Sequence, residues 1–425
     1  MPDDDRTASE RRREFHRYPE PSWCEFYTTS RLVDAVESIG VDDLRIGKDA
    51  VVAGERLGVP DEAALDEWQR RAAEAGARED VLDLTAGGTT GLVATLDRGP
   101  GPVVGLRVDV DALPVTEADD DAHAPAAGGF RSTNEGYMHA CGHDAHMTIG
   151  LGVLERFAAR EFAGTLTVCF QPAEEVLGGG KPMVETGLVD DVDCLFGVHV
   201  GLDHPTGTVV GGAVEPLAIR QTRATFVGES AHAGIAPNEG RDAIQAMATA
   251  IQGVNAIARH EDGLSRVNVG RAEGGTASNV VAETATIDLE VRAADDAVLD
   301  YLSERVETVL AGAAATYDCD LTTDLIGAAP RVDSDGNLAS QVAALARDVD
   351  GVDTVHQHAP LGASEDATYF MERVQEGGGE ATYVIVGTDH PSGHHTPRFD
   401  VDERSLDIGI DVLTEAIADA FERDR

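Results

Sequence analysis

Val103-Val104-Gly105-Leu106-Arg107-Val108-Asp109-Val110-Asp111 is a β-branched apolar run that closes on two aspartates. Side chains alternate along a strand with period two, so both carboxylates leave this segment on one face. The pattern recurs. Leu166, Val168 and Phe170 alternate and end in Gln171-Pro172-Ala173-Glu174-Glu175, and Cys194-Leu195-Phe196-Gly197-Val198-His199-Val200 carries a histidine near its end. Between the first two runs a helix is expected from about His143, with Met147, Leu151 and Leu154 at three- and four-residue spacing and His143 and His146 in its first turn. Strands alternating with helices predict an α/β domain with a central sheet flanked by helices. Open sheets of that kind bind ligands beyond the carboxyl ends of their strands, which is where all these polar residues fall.

Outward from this core the pattern changes. From 216 to 328 the order reads strand (219–227), helix (242–258), strand (267–271), strand (280–291), helix (297–317), strand (321–326), a βαββαβ unit of ferredoxin type. Ile244, Met247, Ile251 and Val254 form one stripe on its first helix, expected to cover the small sheet. Residues 216–328 are therefore read as a domain inserted into one made of 1–215 and 329–425. The chain returns with a strand at 383–386 and a closing helix at 403–421, whose Leu406, Ile410, Leu413 and Ile417 share a face. Residues 49–88 form a further insertion, helical by its Ala, Glu and Arg content, with no chemistry to assign.

At 425 residues two domains are the natural expectation. Asp plus Glu number 77 against 33 Lys plus Arg, a formal charge of −44, which disfavours nucleic acid and anionic membrane as partners. Only Lys48 and Lys181 are lysine. Such an acidic surface is expected of a protein adapted to high salt, where the Debye length shrinks to about 3 Å at 1 M and the self-repulsion is screened. Five scattered cysteines (Cys24, Cys141, Cys169, Cys194, Cys319) suggest neither a disulfide framework nor a zinc finger and fit a reducing cytoplasm. The first fifteen residues lack the apolar core of a leader, and no stretch reads as a membrane span.

The chemistry gathers in Met138-His139-Ala140-Cys141-Gly142-His143-Asp144-Ala145-His146, a thiol and up to three imidazoles within nine residues. Soft and borderline donors crowded this way suggest a transition metal. Glu174, Glu175 and His199 at neighbouring strand ends, and His394-His395 in Gly393–Asp400, raise the donors to five or six, which suits two ions better than one. Other motifs fail. Gly178-Gly179-Gly180-Lys181 is followed by proline, so the phosphate-binding loop is incomplete, and neither Gly228-Glu229-Ser230 nor Gly362-Ala363-Ser364 completes a nucleophile elbow. His123, His204, His260, His356 and His358 are read as solvent-facing.

These residues stand in a recognisable order. RREFHRYPEPSW, GLRVDVDALPVTEA, MHACGHDAHMTIGLG, FQPAEE, GVHVG, AHAGIAPNEGRDA, SNVVAE, GASEDA and GHHTPRFDVDE resemble the M20 metallopeptidase family, and within it the amidohydrolase branch, over nearly the whole chain. The resemblance implies metal ligation by Cys141, His143, Glu175, His199 and His395, with the Cys141 sulfur shared between two divalent ions, Mn or Zn first and Ni or Co as alternatives. It implies Glu174 as general base, His232 steadying the oxyanion, and Asn279 and Arg292 binding substrate. Asp109, Asp111 and Asp144 are expected to orient ligand imidazoles from behind. The inserted domain is implied to be a lid or dimerisation domain. The expected activity is cleavage of N-acyl or N-aroyl amino acids, p-aminobenzoyl-glutamate-like substrates first and hippurate or indole-acetyl-amino-acid types next. A homodimer or a heteromer with a homologous partner chain is expected, and a non-catalytic metal-binding component of such a heteromer is the alternative.

Overall fold

The computed structural model describes residues 6–423, so residues 1–5 of the stretch read for a leader lie outside it. The chain divides into two compact units. One runs to Val214 and resumes over Val332–Leu361 and from Glu365 onward; the other is Glu215–Arg331 with Gly362–Ser364.

The larger unit is built on an eight-stranded mixed sheet. Thr165–Gln171, Val103–Asp109, Cys194–Val200 and Glu380–Val386 lie side by side and parallel at its centre. Their apolar runs are buried throughout, as a sheet covered on both faces requires. Leu92–Asp97 and Asp43–Ile46 extend one edge antiparallel, while Thr208–Val214 and Thr354–Pro360 extend the other. Register sets Asp109 opposite Gln171, and Ile385 opposite His199, so the central strands deliver their polar ends to one edge.

The helix His143–Ala158 is buried on nearly all sides, between the sheet and the closing helix Arg404–Glu422. Leu406, Ile410, Leu413 and Ile417 of the closing helix are all buried. Gly152 is where the two helices approach: a methyl group there would run into Ile410. That contact explains a residue which otherwise weakens a helix interior by about 1 kcal/mol. Gly142 precedes the helix at φ 88°, a left-handed turn that swings the chain from Cys141 into His143.

The smaller unit is a four-stranded antiparallel sheet in the order Asp320–Ala329, Ala218–Val227, Thr284–Ala293, Ser265–Gly274, with helices Ala243–Asn255 and Asp296–Thr316 packed on one face. Two details differ from the sequence reading. Ala243, Ala246 and Ala250 join Val254 as the fully buried positions of the first helix, leaving Ile244, Met247 and Ile251 half-buried at its flanks, because small side chains let that helix lie close to the sheet. Val280 is not in the strand; it forms an isolated bridge with His232. The 49–88 insertion holds helices Glu62–Glu74 and Glu79–Leu84, and is tied to the segment after the Glu174-Glu175 pair by Val52 N donating to Pro182 O (2.9 Å).

Among the described residues no helix is long and apolar enough to cross a membrane, and all five cysteines are free. Surface arginines are shared among several acids: Arg78 touches Asp34, Glu37 and Asp80. Even so, 77 acidic side chains against 33 basic ones leave a net repulsion that local pairing does not cancel. The thermal midpoint is expected to rise by on the order of 10 °C from dilute buffer to molar KCl, a few kcal/mol at about 2–4 °C per kcal/mol. A scanning-calorimetry series in KCl checks this, and a flat or falling midpoint would contradict adaptation to salt.

Candidate metal centre

Asp111 is the organising group. Its carboxylate accepts Ser22 Oγ (2.6 Å) and the backbone N–H groups of Glu174 and Glu175 (3.1 Å each), and lies 3.3 Å from His143 Nδ1. The turn that bears the two glutamates is strained, with Ala173 at φ 55° and Leu177 at φ 52°. Buried carboxylates hold it. Glu25 accepts Ala173 N (2.8 Å), and Asp366 accepts Gly179 N (3.1 Å) and Gly180 N (2.8 Å). Beneath them the fully buried Arg107 joins Asp109 (2.7 Å), Gln171 (2.7 Å) and Asp366 (3.2 Å).

Against this frame the structure gathers all five residues named as ligands. Cys141 Sγ lies 3.5 Å from His199 Nε2, and His199 donates Nδ1–H to the carbonyl of Val200 (2.8 Å), leaving Nε2 bare. Cys141, His143 and His199 bring their donor atoms within 4.8 Å of one another, and so do Cys141, Glu175 and His395. Cys141 is common to both groups. His143 Nε2 lies 3.7 Å from Glu175 Oε1 and 3.9 Å from Glu174 Oε2, and His395 Nε2 lies 3.7 Å from Glu175 Oε2.

The electrostatics ask for a cation. Burial opposes a charge on His143, yet Asp109, Asp111 and Glu175 outweigh it and push its pKa up to about 10. Burial, with His143 opposing, raises Glu175 to about 8, and burial beside Glu175 and Glu365 drives the Cys141 thiol well above its ordinary 9.0. Glu174, buried between Glu365 and Glu175, is also pushed well up. His143 Nε2 and Glu175 Oε1 are buried without a hydrogen bond. A thiol, imidazoles and carboxylates with two such orphaned donors fit a divalent transition metal.

The neighbouring candidates sort themselves by their partners. His146 has both ring nitrogens engaged, Nδ1 with Asp109 (2.5 Å) and Nε2 with Val200 N–H (2.9 Å). Asp109 thus orients an imidazole that touches the His199 strand. His394 turns inward, its ring against Phe399 and its Nε2 at 3.3 Å from Val200 O, while His395 faces the cluster. Asp144 does not orient a candidate ligand: its carboxylate accepts Arg12 Nε (2.8 Å) and meets His16 Nδ1 (2.8 Å), because the first turn of its helix abuts the first helix, Ala8–Arg17. His123, expected in solvent, is buried at 2.8 Å from Glu117. Sequence reading passed over Glu365, whose carboxylate accepts Tyr383 Oη–H (3.1 Å) and stands 4.0 Å from His199 Nε2. The GASEDA stretch was its signal.

His16 sits between Asp144 of one helix and Glu117 of a loop, with Arg12 alongside. Burial opposes its charge, but the two carboxylates prevail and raise its pKa from 6.5 to about 9. A raised folded-state pKa means the stabilisation is fully present below pH 6.5 and is lost as pH climbs through about 9, on the order of 3 kcal/mol. The stability gap between metal-free wild type and His16→Gln is expected to narrow across that window in urea titrations. A gap that stays constant would show that His16 is neutral throughout.

Residues 105–419 match peptidase family M20/M25/M40. The chain belongs to that family. It is 41% identical over 407 residues to one component chain of the p-aminobenzoyl-glutamate hydrolase of Escherichia coli, covering 95% of this chain and 93% of that one. It is 42% identical over the same length and shares to indole-3-acetyl-aspartic acid hydrolase of Enterobacter agglomerans. Among solved structures it resembles a dinuclear metal binding M20 peptidase of Bacillus subtilis, with TM-score 0.66, 26% identity and 98% of both chains covered. Family and relatives together make this chain a metal-dependent amidohydrolase.

Three of the expected site residues lie in the smaller unit of this M20 chain. His232 is exposed, its Nδ1 accepting Gly234 N–H (3.1 Å), and the bridge to Val280 sets it beside Asn279, whose carbonyl accepts Ala233 N–H (3.0 Å). Arg292 is at the far end of the sheet. It pairs with Ile219, eight residues up the strand from the Val227–Thr284 pair, roughly 27 Å at strand rise. Its guanidinium forks onto Glu290 (3.1 and 3.0 Å).

Proposed function

We propose that this chain is a di-metal amidohydrolase that cleaves the amide of an N-acyl or N-aroyl amino acid, with p-aminobenzoyl-glutamate-like substrates first and hippurate or indole-acetyl-amino-acid types next. The observation that carries this is Cys141, whose sulfur belongs to two donor groups at once while Glu174 stands beside both. Cys141, His143 and His199 would hold one ion, and Cys141, Glu175 and His395 the other. Two divalent cations held there, Mn or Zn before Ni or Co, would lower the pKa of a nearby water towards about 7 and polarise a carbonyl.

The chain's own residues do the rest. Glu174 is held by its backbone on Asp111, and burial, then its carboxylate neighbours, raise its affinity for a proton; ionised beside bound cations, it would take a proton from the attacking water and pass it to the leaving nitrogen. Asp111 and Asp109 hold His143 and His146 in place. His232 and Asn279 are the groups we assign to the substrate carbonyl and its developing oxyanion, and Arg292 to a carboxylate once released from Glu290; being at opposite ends of the small sheet, they would serve one small substrate only from two different chains. The smaller unit, ferredoxin-like in its strand order, is read as the lid or dimerisation domain, joined to a second copy or to a homologous partner chain in the cytoplasm. The Escherichia coli relative is named as one component of its enzyme, which keeps the heteromer in view.

Protein loaded with Mn or Zn in molar salt, assayed by chromatography against p-aminobenzoyl-glutamate, indole-3-acetyl-aspartate and hippurate, tests the proposal. Turnover of at least one, fastest with the first, is expected. Two bound ions and no turnover of any would support the non-catalytic component instead.

A further inference from the structure

Of the five candidate donors, four sit on well-braced backbone. His143 opens a buried helix, His199 lies in a central strand, Cys141 follows the Leu113–Met138 bridge, and Glu175 hangs from Asp111. His395 differs. No helix or strand lies between Val386 and Arg404, His395 adopts φ 62°, and its side chain is 56% exposed. Its backbone N–H reaches Ala140 O (2.8 Å), but the buried charged anchor of the segment is Asp400, five residues on.

We propose that Arg12, in the first helix, is a positioning residue for the metal group that contains His395. The inference rests on the two-ion reading above. The Arg12 side chain is 1% exposed, and its planar guanidinium spans two carboxylates: Nη2 donates to Asp400 Oδ1 (2.6 Å) and Nε to Asp144 Oδ2 (2.8 Å). Asp400 Oδ1 also accepts Val401 N–H (2.9 Å), so the ion pair fixes backbone and not merely a side chain. Asp144 adjoins His143. One rigid fork therefore sets the spacing between the segment that carries His395 and the helix end that carries His143. His143 has Asp111 and its helix as independent supports; the segment of His395 is held as well by Ala118 N–H donating to Pro397 O (2.9 Å) and by Arg398 against Asp120, and Arg12 is what links it by charge to the helix of His143. Lysine, a point charge on a flexible stem, cannot bridge both carboxylates with fixed geometry.

The test is metal binding followed by calorimetry with Mn and then Zn on the full chain, using Arg12→Lys, Asp400→Asn and His395→Ala. Wild type is expected to take two equivalents. Arg12→Lys should keep the first affinity within about threefold and weaken the second at least tenfold, the range seen when groups behind metal ligands are changed. Adding Arg12→Lys to His395→Ala should weaken binding no further, since both act through one ligand. If Arg12→Lys is unfolded, Asp400→Asn gives the same reading, because it preserves shape and the bond from Val401. Equal weakening of both sites, or two unchanged sites beside a weakened His395→Ala, would overturn the role of Arg12. A wild type that takes one equivalent would instead overturn the two-ion reading, and this inference with it.

Discussion

Glu174→Gln is expected to retain both metal equivalents and to lose about 10²–10⁴-fold in kcat, with KM little changed. Glutamine keeps the volume, and the backbone N–H of residue 174 still donates to Asp111, so the strained turn survives. What disappears is an acceptor for the water proton and a donor for the leaving nitrogen, and both steps sit in the barrier. Glu175→Gln is the control one residue away. It removes the charge that faces both His143 and His395, so it should lower metal content before it lowers turnover per bound metal. Elemental analysis beside steady-state kinetics separates the two. Glu174 also shares a donor group with His143 and Glu175. If Glu174→Gln lost an ion as readily as Glu175→Gln, Glu174 would be a ligand and the base would have to be sought at Glu365.

The site is legible in sequence wherever its residues close a regular element. Asp109, Glu174-Glu175 and His199 each follow an apolar strand, and His143 opens a helix, so period and position place them. The central strands are legible for the same reason: buried on both faces, they read as continuous apolar runs. The outer strands are not. Thr354–Pro360 contains two exposed histidines and a glutamine, and Thr208–Val214 carries paired glycines, so neither shows a strand signature. The groups behind the site are hidden for another reason. Glu25, Asp366 and Arg12 act through partners far off in sequence, as Arg107 does towards Gln171 and Asp366, and a lone charge gives no local sign that it will be buried. Asp144 shows the converse hazard: adjacency to His143 suggests a shared task, but the helix turn points the two side chains to different neighbours.

Cys141→Ser is the sharpest test of whether two ions share one sulfur. The change is small in volume, and a hydroxyl there has His199 Nε2 for a partner, 3.5 Å from the present sulfur, so the metal-free protein should melt within about 2 °C of wild type, under 1 kcal/mol for a domain of this size. Its chemical consequence is large. A thiol, even one raised by burial and by Glu175, gives up its proton to a metal and then offers a soft, polarisable donor. A serine hydroxyl ionises far less readily and is a shorter, harder reach from a backbone fixed by the Gly142 turn. Since Cys141 belongs to both donor groups, neither ion keeps its full set. The second equivalent should be lost, the first weakened by about 10²-fold or more, and kcat/KM reduced by at least about 10³, the several kcal/mol that metal polarisation supplies. Cys169→Ser is the control: Cys169 is buried more deeply, at 1% exposed, in the strand Thr165–Gln171, and belongs to no donor group among the described residues. It should cost stability by burying a hydroxyl, with metal content and activity per folded molecule unchanged. If Cys141→Ser kept two tightly bound ions, the carboxylates and imidazoles alone would hold them, and the shared sulfur would be structural.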